Sequence, residues 1–228
     1  MSAKVAVVQF PGTNCELDVV RAVEGLGGAA EPVFHTERDL RGADAVVLPG
    51  GFAHGDYLRT GAIAQFSPVM EAVATHAQAG GPVVGICNGF QVLTEAGLLP
   101  GALQKNVGLT FLCTTVEVRV ESTRSVLTAE AQVGSVLRIP INHFEGNYTC
   151  DAATLERLRD QEQIVMRYVE NPNGSMDDIA GISNESGNVV GLMPHPERAS
   201  DLLLGSDDGL VLLRSLLASA AGVRSSAA

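Results

Sequence analysis

Short apolar runs separated by amphipathic segments dominate the first half of the chain. The runs KVAVVQF, AEPVFHT, DAVVLPGG and PVVGI are rich in β-branched residues, and the last two are almost wholly apolar. Strands that are apolar throughout are typical of parallel sheets covered by helices on both faces. Helical spacing of apolar positions marks LDVVRAVEGL and PVMEAVATHAQAGG. The alternation therefore predicts an α/β fold with a parallel sheet.

The pattern changes between about residues 109 and 148. TTVEVRV and SVLRIPI alternate apolar and polar positions, which predicts antiparallel strands with one solvent-facing side. DAATLERLRDQE predicts a helix, IVMRYVE, IAGISN and VVGLMPH predict three short strands, and DDGLVLLRSLLASA predicts a closing helix. No linker divides the chain, so we expect one domain over residues 1–221 and a short tail over residues 222–228.

Composition narrows the classes of function. The 228 residues carry 46% hydrophobic and 18% charged side chains, and the net charge of −11 argues against nucleic acid as a partner. No apolar run approaches the roughly 20 residues needed to cross a bilayer, and no basic leader is visible at the start. The four cysteines are too far apart to predict a disulfide or zinc framework. These features predict a cytoplasmic protein with reduced thiols.

One thiol lies at the junction of a predicted strand and helix. Gly85, Cys87 and Gly89 in GICNG have the form of a nucleophile elbow, in which glycines allow a strained turn and close backbone approach. The helix that follows places partial positive charge near the sulfur and favours the thiolate. A buried structural cysteine is the alternative reading, because free cysteine is commonly buried. These residues alone leave both readings open.

A candidate base stands near the other end of the chain. His195 lies between Pro194 and Pro196 after an apolar run, and the two prolines exclude a helix there. In an extended chain residues i and i+2 point the same way, so Glu197 is expected to hold the second ring nitrogen of His195. A capping or surface histidine is the alternative.

Acyl transfer also requires donors for an oxyanion. The PGG turn after the third apolar run and the helix start after the thiol offer the backbone N–H groups of Gly51 and Asn88. A simple tight turn would also explain the two glycines. Dinucleotide and phosphate-loop fingerprints and metal-ligand spacings are missing from the sequence, so we expect no cofactor or metal in this chain.

Taken together, GICNGFQ, PHPE and PGG resemble the class I glutamine amidotransferases. The stretches VVQFPGTNCE, PGGFAHGDYLRTGAIA and MPHPER make the resemblance more specific. They are similar to the glutaminase subunits of phosphoribosylformylglycinamidine synthase, and the similarity extends from residue 5 to about residue 217. It implies a flavodoxin-like, three-layer α/β sandwich with a mostly parallel central sheet and an added antiparallel section.

The resemblance also implies roles for residues. Cys87 would attack the side-chain amide of L-glutamine, with His195 as base and then acid and with Glu197 orienting it. Ammonia would leave, and water would hydrolyse the thioester. Gln91 and the segment Asn142, His143 and Phe144 would contact the substrate, although the family more often has a small residue at the position of Phe144.

Partners are implied in the same way. A large synthetase subunit would use the ammonia, with ATP and magnesium, to convert formylglycinamide ribonucleotide to its amidine in purine biosynthesis. A small third subunit often completes the complex. We expect the loop GFAHGDYLRTGAIAQF to form part of the contact surface. The alternatives are an amidotransferase that feeds a different synthetase and a redox-sensing or chaperone-like α/β protein with a reactive cysteine.

Overall fold

The computed structural model describes the backbone of residues 2–226 and the side-chain surroundings of residues 2–222. The strands are β1 (Lys4–Gln9), β2 (Ala29–Phe34), β3 (Ala45–Leu48), β4 (Val83–Ile86), β5 (Ala102–Gln104), β6 (Leu112–Val120), β7 (Val136–His143), β8 (Asn147–Thr149), β9 (Ile164–Tyr168), β10 (Ile179–Ser183) and β11 (Val189–Leu192). The helices are α1 (Glu16–Gly25), α2 (Val69–Gln78), α3 (Asn88–Glu95), α4 (Ala152–Asp160) and α5 (Leu210–Ser226).

Nine of these strands form one sheet in the order β2-β1-β3-β4-β11-β10-β9-β6-β7. Pairing is parallel from β2 to β11 and antiparallel from β11 to β7. Strands β3, β4 and β11 are buried at every position, as their apolar sequences predict. The predicted α/β architecture with an added antiparallel section is therefore confirmed.

The parallel half of the sheet aligns the ends of three strands. Leu48 of β3 pairs with Gly85 of β4, and Ile86 of β4 pairs with Leu192 of β11. The chain segments that leave these strands, namely the PGG turn, Cys87 and the segment with His195, consequently start from one edge. Ligands of open α/β sheets bind at this carboxyl edge.

Helix α3 packs unusually close to the sheet. A side chain at Gly85 would meet the backbone of Gly89 and the side chain of Leu93 at 2.6 Å. A side chain at Gly89 would collide with the carbonyl oxygen of Leu48. The two glycines around Cys87 are thus required by the contact of α3 with β3 and β4, which fixes the position of the helix start.

Two local features of the fold differ from what the sequence indicates. Thr13 and Glu16 have capping-box spacing, but α1 begins at Glu16 without a side-chain cap. The Thr13 hydroxyl instead accepts from the N–H of Phe10 at 3.0 Å, and Glu16 accepts from the amide of Gln9 at 3.0 Å. The two-stranded sheet of β5 and β8 was not predicted, because strands of three residues carry no readable alternation.

The C-terminal boundary is less sharp than the sequence indicates. Helix α5 continues to Ser226 and so enters the predicted tail of residues 222–228, whose last two residues lie outside the described part. The division at residue 221 stays a prediction. Through residue 226, no helix combines the length and the apolar character needed to cross a membrane.

Replacing Gly89 with alanine should destabilise the fold by roughly 1–3 kcal/mol, because the added methyl group overlaps the Leu48 carbonyl. The free energy of unfolding in urea measures this effect. Gly25→Ala is the matched control, since Gly25 also lies in a helix and has nothing within 4 Å of an added side chain. Equal stability of the two variants would contradict the close contact of α3.

Candidate active site

Cys87 occupies a strained turn between β4 and α3. Its backbone has φ 52° and ψ −105°, a conformation that non-glycine residues rarely adopt. The N–H of Cys87 donates to the carbonyl of Leu192 at 2.8 Å, which ties the turn to β11. The side chain is buried at the start of α3. This is the geometry of a nucleophile elbow, with cysteine in place of serine.

His195 and Glu197 form a buried pair. Nδ1 of His195 lies 2.6 Å from Oε1 of Glu197, and the two residues are 1% and 2% exposed. The N–H of His195 donates to the carbonyl of Pro140 at 2.8 Å, so β7 holds the histidine backbone in place. The predicted contact is therefore present, but its predicted cause is wrong. A 3₁₀ turn over Pro196–Arg198, rather than extended chain, brings the two side chains together.

The surroundings of His195 favour its protonated form. Burial opposes a charge on the imidazole, but the negative charge of the Glu197 carboxylate and the nearby sulfur of Cys87 outweigh burial and hold the pKa of His195 well above its ordinary value. Nε2 of His195 has no hydrogen-bond partner in the described structure. The thiol of Cys87 instead donates to the carbonyl of Asn142 at 3.5 Å. The hydrogen bond that the thiol makes in this conformation therefore goes to Asn142, while its sulfur still lies close enough to raise the pKa of His195.

A pocket of about 150 Å³ opens beside the thiol. It brings together the PGG turn, the loop that follows this turn, helix α3 and the segment that ends β7. Its lining residues are Gly51, Phe52, Asp56, Thr60, Cys87, Gln91, Asn142, His143, Phe144 and Glu145. Gly51, Gln91, Asn142, His143 and Phe144, all predicted from the sequence, thus surround Cys87.

Of the two predicted oxyanion donors, Gly51 lines the pocket together with Cys87, and Asn88 follows Cys87 in the chain. Asn88 is the first residue of α3, and the first N–H groups of a helix have no partner within the helix. Gly51 has φ 150°, and a side chain there would overlap the backbone of Thr13 and Asn14. The backbone at Gly51 can therefore approach the pocket only because this residue is glycine.

Hydrogen bonds fix the predicted substrate-contact residues. Gln91 donates from Nε2 to the carbonyl of Glu145, and its Oε1 accepts from Nδ2 of Asn88 at 2.9 Å. Phe144 is half-buried, and its ring lies 6.0 Å from the ammonium of Lys105. The structure places these residues around the pocket, and their roles in substrate binding remain predictions.

His143 is buried with a defined tautomer. Asn106 donates its amide N–H groups to two carbonyls, so its Oδ1 accepts from Nδ1 of His143 at 3.1 Å. Burial, with His195 nearby, lowers the pKa of His143 to about 4. At neutral pH Nδ1 therefore carries the single ring proton, and Nε2 is a buried acceptor that has no hydrogen-bond partner among the described residues.

Two acidic residues of the pocket were missed by the sequence analysis. Asp56 lies in the PGGFAHGDYLR stretch, which was assigned to partner contact, and Glu145 follows Phe144. Asp56 accepts from Nδ2 of Asn88 at 3.2 Å, and Glu145 accepts from the hydroxyl of Thr60 at 3.0 Å. The Gly55-Asp56 turn was the available signal, but nothing in one sequence connects this loop to residue 145.

Cys15 also contacts the buried pair. Its thiol, the imidazole of His195 and the carboxylate of Glu197 come within 4.8 Å of one another, a donor set that a soft metal ion could use. However, the guanidinium of Arg198 lies 3.1 Å from the Cys15 sulfur and opposes a cation there. His195 and Glu197 are moreover hydrogen-bonded to each other. We therefore assign no metal to this cluster.

Comparison with known proteins agrees with the geometry. Residues 2–207 match the CobB/CobQ-like glutamine amidotransferase domain family. The chain is 57% identical over 217 residues to the phosphoribosylformylglycinamidine synthase subunit PurQ of Rubrobacter xylanophilus, covering 95% of this chain and 99% of that protein.

Solved structures extend the comparison. A chain in the structure of PurLQS from Thermotoga maritima superposes with a TM-score of 0.88 at 41% identity, covering 96% of this chain and 99% of that one. A candidate GMP synthase subunit from Thermoplasma acidophilum superposes with a TM-score of 0.71 at 16% identity, covering 100% and 98%. At that identity the second likeness shows the fold alone.

The fold and the arrangement of thiol, imidazole and carboxylate define a glutamine amidotransferase of class I. Within that class, the sequence identity to a PurQ subunit over nearly the full length of both chains assigns this protein to one family. The chain belongs to the family of PurQ subunits of phosphoribosylformylglycinamidine synthase.

Glu197→Gln should lower kcat for glutamine hydrolysis by about 10²- to 10⁴-fold with little change in KM, because the amide preserves the shape but no longer stabilises the imidazolium. Steady-state kinetics of the complex with its synthetase measures both constants. Asp18→Asn is a control, since Asp18 is an acid half-exposed near Arg198 and outside the pocket. A kcat unchanged by Glu197→Gln would contradict the orienting role.

Proposed function

We propose that this chain is the glutaminase subunit of phosphoribosylformylglycinamidine synthase and supplies ammonia from L-glutamine to the synthetase. One observation carries the proposal. The thiol of Cys87 faces a pocket at the carboxyl edge of the sheet, directly in front of the buried pair of His195 and Glu197. The membership in the PurQ family supports the choice of acceptor.

The reaction uses groups that the fold already holds in place. Cys87 attacks the side-chain carbonyl of glutamine while His195 holds the thiol proton, and the N–H groups of Gly51 and Asn88 face the developing oxyanion. His195 then gives its proton to the departing ammonia. Water, activated by the same imidazole, hydrolyses the thioester and releases glutamate. Glu197 stabilises the imidazolium through both stages.

The ammonia has to reach an acceptor on another protein. We infer a large synthetase subunit that binds ATP, magnesium and formylglycinamide ribonucleotide, with a small third subunit, and we place the complex in the cytoplasm. The likeness to a chain of PurLQS supports this assembly. No cofactor is assigned to the present chain.

The surface beside the pocket suits a protein partner. The loop that follows the PGG turn exposes large apolar side chains, and Leu58 at 89% exposure and Phe66 at 80% are the most prominent. Tyr57 at 73% lies between Asp56 and Leu58 in sequence. Exposed apolar patches of this kind mark interaction sites. A synthetase that docks here would cover the mouth of the pocket and keep ammonia from the solvent.

Cys87→Ala should abolish glutamine-dependent synthesis in the reconstituted complex and retain synthesis from added ammonium salts, because only ammonia release requires the thiol. Product formation with either nitrogen source measures the two activities. Cys113→Ala is the control, since this thiol is exposed and outside the pocket. Glutamine-dependent synthesis by Cys87→Ala would contradict the assignment of the nucleophile.

The isolated chain should hydrolyse glutamine more slowly than the complex. In the conformation described here the Cys87 thiol donates to the carbonyl of Asn142, and this contact has to be released before the sulfur attacks glutamine. Glutamate release by the chain alone and after titration with the synthetase measures the difference. Equal turnover in both states would show that the partner has no influence on the site.

A further inference from the structure

Arg198 places a positive charge next to the catalytic pair of His195 and Glu197. It is the last residue of the 3₁₀ turn over Pro196–Arg198, and its Nη2 donates to the sulfur of Cys15 at 3.1 Å. That sulfur lies within 4.8 Å of a ring nitrogen of His195 and of a carboxylate oxygen of Glu197. Arg198 is not among the residues that line the pocket of Cys87. The guanidinium therefore approaches the pair through Cys15, from outside the pocket.

The backbone fixes the sulfur that lies between the guanidinium and the pair. Cys15 directly precedes α1, and its N–H donates to the carbonyl of Gly50 at 3.2 Å. A side chain at Gly50 would meet Cε1 of His195 at 2.6 Å and the sulfur of Cys15 at 3.2 Å. Imidazole and sulfur thus pack against the same glycine. Cys15 is buried in this position and gives Arg198 a fixed acceptor.

The carboxylate of Glu197 has few partners for a buried charge. Its Oε1 bonds to His195, but Oε2 is buried and has no hydrogen-bond partner among the described residues. While the imidazole is protonated, the two charges of the pair neutralise each other. When His195 gives up its proton, a buried negative charge remains, and such a charge is costly without a counter-charge. A permanent cation near Glu197 would lower this cost.

The other titratable groups that face the pair do not provide such a cation. Cys87 at the start of α3 and Cys15 before α1 are thiols, which are either neutral or negative. Burial lowers the pKa of His143 on β7 to about 4, so its imidazole is uncharged at neutral pH. A guanidinium, in contrast, stays protonated at any working pH. Among the described residues, Arg198 is therefore the source of permanent positive charge.

The charge of Arg198 is directed at the pair as well as at the surface. Burial opposes this charge, but attraction to the sulfur of Cys15, to Glu197 and to Asp18 holds the pKa of Arg198 above its ordinary value. The contact with Asp18 is loose, at 3.5 Å between side chains that are 35% and 36% exposed, and water screens such a pair. Asp18 consequently leaves most of the field of the guanidinium uncancelled.

We propose that Arg198 is a positioning residue for the glutaminase reaction: its positive charge, held beside the catalytic pair by the sulfur of Cys15, helps the imidazole to release its proton. This inference rests on the proposed function. In the thioester the sulfur of Cys87 is uncharged, so Glu197 alone would keep the imidazole protonated and leave no base for water. The guanidinium counteracts part of that attraction. The imidazole can then take a proton from the attacking water and pass it to the sulfur as the C–S bond breaks.

The pH dependence of kcat for glutamate release by the complex with its synthetase tests this role. Arg198→Gln removes the charge and retains an N–H group for Cys15. The acidic limb of kcat should move to higher pH by about 0.5 to 1 unit, because loss of a partly screened positive charge strengthens proton binding by the pair. On that limb kcat should fall about 3- to 10-fold, with wild-type kcat above it and little change in KM.

Two further variants and a control separate charge from shape. Arg198→Met is a second neutral variant and should show the same shift, whereas Arg198→Lys retains the charge and should keep the wild-type limb. The Arg198 side chain is about one third exposed, so these replacements leave the core packing in place. Arg38→Gln is the matched control, since Arg38 is an exposed arginine that pairs with Glu71 on α2.

Titration of the imidazole itself gives a readout that is independent of turnover. In the full chain with Cys87→Ala and ¹⁵N-labelled histidine, the resonance lost in His195→Asn identifies His195. Its midpoint should rise in Arg198→Gln and stay in Arg198→Lys. An unshifted midpoint, or a kcat lowered equally at every pH, would overturn the role of the charge and leave the glutaminase function intact. If the wild-type complex releases no glutamate, the proposed function falls, and the titration still decides whether Arg198 acts on the pair.

Discussion

The register of β4 between β3 and β11 is the constraint on which the site depends. Pairing of Leu48 with Gly85 and of Ile86 with Leu192 sends three chain segments from one edge of the sheet. The hydrogen bond from Cys87 N–H to Leu192 continues this register past the end of the strand. A shift of one residue would reverse the faces of β4 and move the thiol away from the imidazole.

Close contact between α3 and the sheet then gives Cys87 its strained backbone conformation. Gly85 and Gly89 allow α3 to approach the sheet, and the chain between them has to turn through the left-handed conformation of Cys87. The tightness of the contact stabilises the strained residue, because relaxation would require α3 to move off β3. The glycines are therefore part of the catalytic arrangement even though they touch no substrate.

The sequence predicts those parts of the site that depend on local chain direction. Cys87 and His195 each follow an apolar strand, and parallel strands bring such positions to a common edge. The sequence does not predict contacts made by loops, whose paths depend on packing. Asp56 and Glu145 are far apart in the chain and are connected in space by the hydrogen bonds of Asn88, Gln91 and Thr60. For the same reason the turn at Pro196 and the short strands β5 and β8 were missed.

The acceptors around the pocket and the thiol of Cys87 are held by different contacts. The acceptors that surround the pocket are held by hydrogen bonds within this chain, so they are in place before any partner binds. The thiol, in contrast, donates to the carbonyl of Asn142, so its orientation depends on the segment that ends β7. That segment lies next to the exposed apolar loop across the pocket. A partner that binds there can therefore change the orientation of the thiol while the hydrogen bonds around the pocket stay in place.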